Sequence, residues 1–165
     1  ETFGRIDVLV NNAGIRQIAP VWKTDAAMWD RIHNANLKGH FLCTREVLAQ
    51  DMLARNEGTL IFVSSGSGKK GEEDSSAYCA SKWGIIGFAE SVAKDLKKTR
   101  IRVTSITPGM TYLPEASIVR FESSLLSPEA TIAICSPLIP TSALRIPEPV
   151  TTRPPLIIRS NSLDI

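Results

Sequence analysis

Thr59-Leu60-Ile61-Phe62-Val63-Ser64-Ser65 decides how this chain folds. Five apolar or β-branched residues in succession, entered from Gly58 and left through two serines, fit a strand buried on both faces, as in a parallel sheet. Upstream, residues 26–55 carry apolar side chains at helical spacing, including Met28, Ile32, Leu37, Phe41, Val47 and Met52, behind cap-type residues at Lys23-Thr24-Asp25. This reads as one long helix, bent or broken near Gly39 and closed by Gly58. Before it, Ile6-Asp7-Val8-Leu9-Val10 is another apolar run, stopped by Asn11-Asn12-Ala13-Gly14. Downstream, a second helix starts near Ser75-Ser76 and runs to a basic end at Lys97-Lys98, and Ile101-Arg102-Val103-Thr104-Ser105-Ile106 is a third strand turned by Thr107-Pro108-Gly109. Strand, helix, strand, helix, strand is the rhythm of an α/β fold, here a doubly wound parallel sheet with right-handed crossovers.

Ligands of such sheets bind outside the carboxyl ends of the strands. Residues 11–14, Ser65 and Pro108-Gly109 fall at those ends, and Tyr78 and Lys82 open the helix after the second strand. One helical turn apart, Tyr78 and Lys82 share a face. A cation beside a phenol favours the phenolate and makes the hydroxyl a usable acid or base. Asn36 lies in the middle of the first helix, where asparagine is a poor former and needs a hydrogen bond to hold its place. Gly66-Ser67-Gly68-Lys69-Lys70-Gly71 lacks the spacing of a phosphate-binding loop and reads as a flexible, charged loop.

Composition narrows the classes. The chain has 165 residues, 43% hydrophobic and 22% charged, enough to bury a core. Nineteen basic against 17 acidic residues give a net charge of +2, with the basic residues dispersed, so no nucleic-acid footprint is expected. No apolar run approaches membrane-spanning length. Cys43, Cys79 and Cys135 lack metal-ligand spacing and read as reduced thiols of a cytoplasmic protein, and His33, His40 and Cys43 do not form a metal set. Beyond Gly109 the signals thin. Ser127-Pro128-Glu129 starts a helix that Pro137 and Pro140 cut short, Pro155-Leu156-Ile157-Ile158 is a last short strand, and residues 160–165 look frayed.

Four motifs in register, Asn11-Asn12-Ala13-Gly14, Asn36-Leu37-Lys38-Gly39, Ser65 thirteen before Tyr78, and Tyr78-x-x-x-Lys82, make the chain resemble the short-chain dehydrogenase/reductase family over residues 5–109, with a weaker likeness beyond. The resemblance implies an NAD(P)(H)-dependent oxidoreductase that interconverts a carbonyl and a secondary alcohol on a small-molecule substrate, with NAD or NADP as cofactor and the choice open. Asn36, Ser65, Tyr78 and Lys82 would form its catalytic tetrad. Tyr78 would exchange a proton with the carbonyl or alcohol oxygen, Ser65 would hydrogen-bond that oxygen, Lys82 would favour the phenolate and hold the nicotinamide ribose, and the Asn36 backbone would position a water. Asn11, Ala13 and Gly14 would line the adenosine side of the cofactor. Pro108 and Gly109 would line the nicotinamide side, with Thr111 standing in for the family's carboxamide-contacting threonine, whose place Leu113 takes.

On this reading residues 1–165 are a single partial domain, well matched over 1–109 and divergent over 110–165, lacking the first βαβ unit and its Gly-rich turn. The strand at residues 6–10 is then expected to be an exposed apolar edge. The two long helices are expected to cover one sheet face and leave much of the other bare. The chain alone is expected to be inactive or to need a partner, and family members associate through the two long helices, where Trp29, Phe41, Trp83 and Phe88 are packing candidates. Two alternatives stand beside the oxidoreductase: a non-catalytic interaction protein on the same fold, and a lyase or epimerase that uses the same Tyr and Lys.

Overall fold

The computed structural model describes residues 5–109 and 132–135. Its centre is a four-stranded sheet in the order β3-β2-β1-β4, formed by β1 (Val8–Asn11), β2 (Glu57–Val63), β3 (Arg100–Ile106) and β4 (Ile132–Cys135). Every pairing is parallel, with Leu9 opposite Leu60 and Leu60 opposite Val103. Alternation along the strands sorts the side chains. Leu9, Leu60, Phe62 and Ile101 pack with Val47 and Met52 of the first helical run and Ile85, Ala89, Val92 and Leu96 of the second in one cluster. Both long helices therefore serve the same sheet face, as the crossover rule requires.

The first helical run follows its sequence pattern closely. Asp25 caps it, its side chain accepting from Met28 N at 2.7 Å. Then come α1 (Ala26–His33), a π-helical turn at Asn34–Lys38, α2 (Gly39–Val47), a second π-helical turn at Leu48–Met52 and α3 (Leu53–Arg55). The expected break near Gly39 is thus a widened turn that keeps the helix continuous, and Gly39 N bonds Asn34 O across it. Asn56, not Gly58, closes the helix: it adopts the left-handed conformation at φ 54°, which asparagine tolerates. Gly58 belongs to β2. At the other end of the run, Asp51 and Arg55 hold the entry to β1, with Ile6 N donating to Asp51 at 2.7 Å and Arg55 donating to Ile6 O at 2.6 Å. The second helix, α4 (Ser76–Asp95), begins where its sequence pattern places it.

Four expectations are corrected. β1 is not a sheet edge, because β4 pairs with it in parallel from Val8 opposite Ile132 to Asn11 opposite Cys135. Residues 132–135 are a strand rather than part of a short helix; pairing there satisfies the backbone groups that β1 would otherwise leave open. The second sheet face carries Val8, Val10, Ile61 and Val63, with Ile106 and Ile132 against them, and those four side chains are buried rather than bare. Lastly, Gly66–Gly68 is a 3-10 turn with Ser67 and Gly68 buried against α4, so only Lys69, Lys70 and Gly71 of that loop are exposed. Among the described residues no helix is long and apolar enough to cross a membrane. Thr111, Leu113, the helix start at Ser127-Pro128-Glu129 and the strand at residues 155–158 lie outside the described residues.

Candidate active site

The carboxyl ends of β1, β2 and β3 meet at one rim, stitched by backbone bonds. Ser64 N donates to Ile106 O and Gly66 N to Pro108 O, each at 2.8 Å, which brings Pro108-Gly109 beside the turn after β2. Ser64 also donates through its hydroxyl to Lys82 O at 2.8 Å, locking the first turns of α4 onto that same strand end. A Cβ on Gly68 would come within 2.5 Å of Ser64 Oγ and 2.8 Å of Lys82 O, so this approach needs glycine.

Lys82 follows from that contact. Its side chain is buried, and Nζ donates to Val63 O at 3.0 Å, at the last residue of β2. Burial pushes the ammonium down from its ordinary range to about 8, because water no longer solvates the charge. Nζ lies 5.7 Å from the centre of the Tyr78 ring, confirming that the two side chains share a face of α4. It also abuts Gly14: a Cβ there would stand 3.3 Å from Nζ and 3.7 Å from Asn36 Oδ1.

Asn36 sits in the π-helical turn, fully buried. Its side chain accepts from Ile15 N at 2.7 Å and donates to Ile15 O at 3.0 Å and to Ser81 Oγ at 2.9 Å. Ser81 in turn donates to Tyr78 O at 2.7 Å. One asparagine therefore ties the turn after β1 to the turn of α4 that carries Tyr78 and Lys82. That is the hydrogen bond its place in a helix demanded.

His40, one helical turn further on, is fully buried and donates from Nε2 to Ala13 O at 3.0 Å, while Nδ1 has no partner among the described residues. Desolvation, helped by the Lys82 charge and opposed by the bond to Ala13, lowers its pKa to about 3, so the ring is neutral. Asn11 is fully buried too, its amide donating to Thr44 on α2 at 3.0 Å. Its side chain joins strand to helix beneath the rim, and Ala13 beside it is buried. Of residues 11–14, Gly14 is the one set directly against Lys82.

The structure thus brings Asn36, Tyr78, Lys82 and Gly14 together, with Pro108 and Gly109 on the neighbouring strand end. Ser65 lies on the same rim but is occupied locally: its hydroxyl accepts from Ser67 N at 3.2 Å and bonds Ser67 Oγ at 3.3 Å. Among the described residues no hydrogen bond joins Ser65 to Tyr78. Residues the sequence pattern did not assign to the site are His40, Ser64, Ser81, Gly68 and Arg16, whose guanidinium lies 5.3 Å from the Tyr78 ring centre. A histidine inside an otherwise apolar helical stripe was a usable signal; the others depend on tertiary neighbours.

A family model for short chain dehydrogenases matches residues 1–120. An acetoacetyl-CoA reductase of Acinetobacter sp. is 38% identical over 131 residues, covering 79% of this chain and 52% of the relative. Among solved structures, a variant of actinorhodin polyketide ketoreductase with NADPH superposes with a TM-score of 0.66 at 35% identity, over 68% of this chain and 44% of that one. A 4-hydroxyisoleucine dehydrogenase complexed with NADH and succinate gives 0.61 at 34% identity, over 70% and 53%. The chain spans about half the length of the curated relatives it matches.

Proposed function

The chain belongs to the short-chain dehydrogenase family, and from that premise we propose that it carries the proton-transfer centre of an NAD(P)(H)-dependent oxidoreductase interconverting a carbonyl and a secondary alcohol. One observation carries the reading: a buried lysine ammonium, one turn from Tyr78, has a single hydrogen-bond acceptor among the described residues, Val63 O, and faces a glycine that leaves the space in front of it open. A structural lysine would be exposed or fully paired.

The residues present fit a nicotinamide nucleotide. Two of the three Lys82 N–H donors have no partner among the described residues, which suits ribose hydroxyls as acceptors. Gly14 opens the cradle that a Cβ would fill. Tyr78 and Lys82 would hold the nicotinamide ribose, Gly14 the flank towards the adenosine and Pro108-Gly109 the flank towards the nicotinamide. When bound, the nucleotide supplies or accepts the hydride. The chain's own residues do the rest. Tyr78 gives its hydroxyl proton to the carbonyl oxygen in reduction and takes it back in oxidation, Lys82 stabilises the phenolate between these events, and Ser65 donates a hydrogen bond to the same oxygen. Asn36 acts as a clamp through its side chain, which is fully engaged, so any water relay from Lys82 runs along its backbone.

The outer face of the two long helices supports association of two copies. A groove of about 410 Å³ runs between them, lined by Leu37, Phe41, Gly84 and Phe88 among others, and Phe41 and Trp83 remain 43% and 52% exposed. A Trp83→Glu variant that sediments like the wild type argues against this face.

The catalytic reading is tested with NADH and NADPH titrated against the 165-residue chain, and with turnover measured in a form that also carries any upstream segment. Tyr78→Phe is expected to lose turnover while still binding nucleotide, more weakly, through Lys82 and the Gly14 cradle. Equal rates for Tyr78→Phe and wild type reject the assigned acid, and failure of either nucleotide to bind in both forms favours a non-catalytic role.

A further inference from the structure

Among the described residues nothing hydrogen-bonds the Tyr78 hydroxyl. Two cations approach its ring instead: Lys82 Nζ at 5.7 Å and the Arg16 guanidinium carbon at 5.3 Å from the centroid. Both lie within the range at which an aromatic face attracts a cation. Arg16 is fixed from two directions. Its neighbour Ile15 is gripped through both backbone polar groups by Asn36. Its Nη2 donates to Glu72 at 3.0 Å and to the buried Ser75 at 3.0 Å, and Ser75 O accepts from Cys79 N at 2.8 Å in the first turn of α4. A backbone bond from Ala19 N to Asp74 O at 2.8 Å closes the same seam. The guanidinium plane is therefore held between the turn after β1 and the start of α4, against the ring of the proposed acid.

We propose that Arg16 is a positioning residue that keeps the Tyr78 ring in the orientation its proton transfer requires. The proposal rests on the assignment of Tyr78 as acid or base. Lys82 cannot do this alone: it sits on the same helix one turn away and moves with the ring, whereas Arg16 reaches the ring from a different segment. A planar guanidinium covers an aromatic face and keeps its fork of donors for Glu72 and Ser75 at once, which an ammonium does not.

The test uses the full chain labelled with 3-fluorotyrosine. Of its two tyrosines, Tyr112→Phe removes one and leaves Tyr78 as the sole reporter. In the otherwise unaltered chain, the fluorine spectrum reports the rate at which the Tyr78 ring flips between its two orientations. Arg16→Met is expected to speed the flip about threefold, because the cation–π contact that holds the ring is lost as it turns, and Arg16→Lys to restore less than half of the difference. Glu72→Gln, which keeps the guanidinium and its bond to Ser75, serves if Arg16→Met fails to fold, and is expected to give a smaller shift in the same direction. In the form that turns over, Arg16→Met is expected to lower kcat about fivefold with the KM for NAD(P)H unchanged. A flip rate that neither Arg16→Met nor Glu72→Gln changes overturns the proposal, and so does a full rescue by lysine. If Tyr78→Phe keeps wild-type turnover, the acid assignment has failed instead, whatever the fluorine spectrum shows.

Discussion

Replacing Lys82 with methionine isolates the cost of holding an ammonium inside the site. In the folded chain its pKa lies at about 8 against 10.5 for a solvated lysine, and burial is the cause. At about 1.4 kcal/mol for each tenfold change in proton affinity, folding with the charged side chain costs about 3 kcal/mol. The sign follows from proton counting. Between the two values the unfolded chain holds a proton that the folded chain lacks, so stability rises with pH across that window and the penalty is complete only below about pH 8. Methionine of similar length removes the penalty but leaves Val63 O without its donor, at a cost of about 2 kcal/mol.

Lys82→Met is therefore expected to be about 1 kcal/mol more stable than wild type near pH 7 and about 2 kcal/mol less stable near pH 10.5, where the penalty has vanished and the lost bond remains. Urea unfolding followed by tryptophan fluorescence, run on both chains at both pH values, gives the difference directly, because groups that titrate independently of Lys82 cancel between the two and His40, which feels its charge, is neutral at both pH values. A Lys82→Met effect of the same size and sign at both pH values refutes the reasoning. The stabilised variant is also expected to lose nucleotide affinity, the exchange of function for stability that a strained site implies.

Other expectations follow from the same rim. His40 is neutral when folded, with its pKa lowered to about 3; an unfolded histidine takes up its proton near pH 6.5, so stability falls as pH drops through that window. His40→Gln is expected to flatten the acid side of the stability profile, seen as a smaller loss of urea midpoint between about pH 6.5 and pH 4.5 than wild type shows. Gly68→Ala would set a Cβ 2.8 Å from backbone Lys82 O and 2.5 Å from Ser64 Oγ. It is expected to cost about 2–3 kcal/mol in urea unfolding, whereas Gly71→Ala, which meets nothing within 4 Å, stays near wild type. Asn36→Ala would leave both polar groups of Ile15 unpaired, and a loss of about 2–4 kcal/mol is expected, with amide exchange of Ile15 accelerated more than that of β2.

The sheet core was legible in the sequence because its signal is local. The run from Thr59 to Val63 is apolar on both faces, and the helical stripe from Met28 to Met52 keeps its period through two π-helical turns, since widening a turn displaces the pattern by less than the width of an apolar face. Tyr78 and Lys82 were legible because one helix fixes their relation. Partners that arrive from elsewhere were not. Asn56 and Gly58 are both acceptable helix stops, and only the backbone shows that the asparagine takes the left-handed position. Four residues at 132–135 look alike as a short helix or a strand until the open side of β1 is known to lie beside them. The buried turn at Gly66–Gly68 resembled a loop because its burial comes from α4 and from the neighbouring strand ends at Ser64 and Pro108.

Four of the buried polar side chains, Asn11, Asn36, His40 and Lys82, lie at or beside residues 11–15. Asn36 and His40 are explained by what they hold, the backbone of Ile15 and the carbonyl of Ala13. Asn11 is explained by its bond to Thr44. Lys82 is different. Its bond to Val63 O needs only a neutral donor, and a carbonyl at the end of β2 gives no reason to bury a charge. Nor does Lys82 gain a carboxylate: the described ion pairs of the chain lie elsewhere. A turn-holding role therefore accounts for three of the four and leaves the ammonium over. Its burial beside Tyr78 and Gly14 fits the proposed role, in which a nucleotide takes the donors that have no partner among the described residues. The pH dependence of Lys82→Met measures how far the fold is strained to keep that position ready.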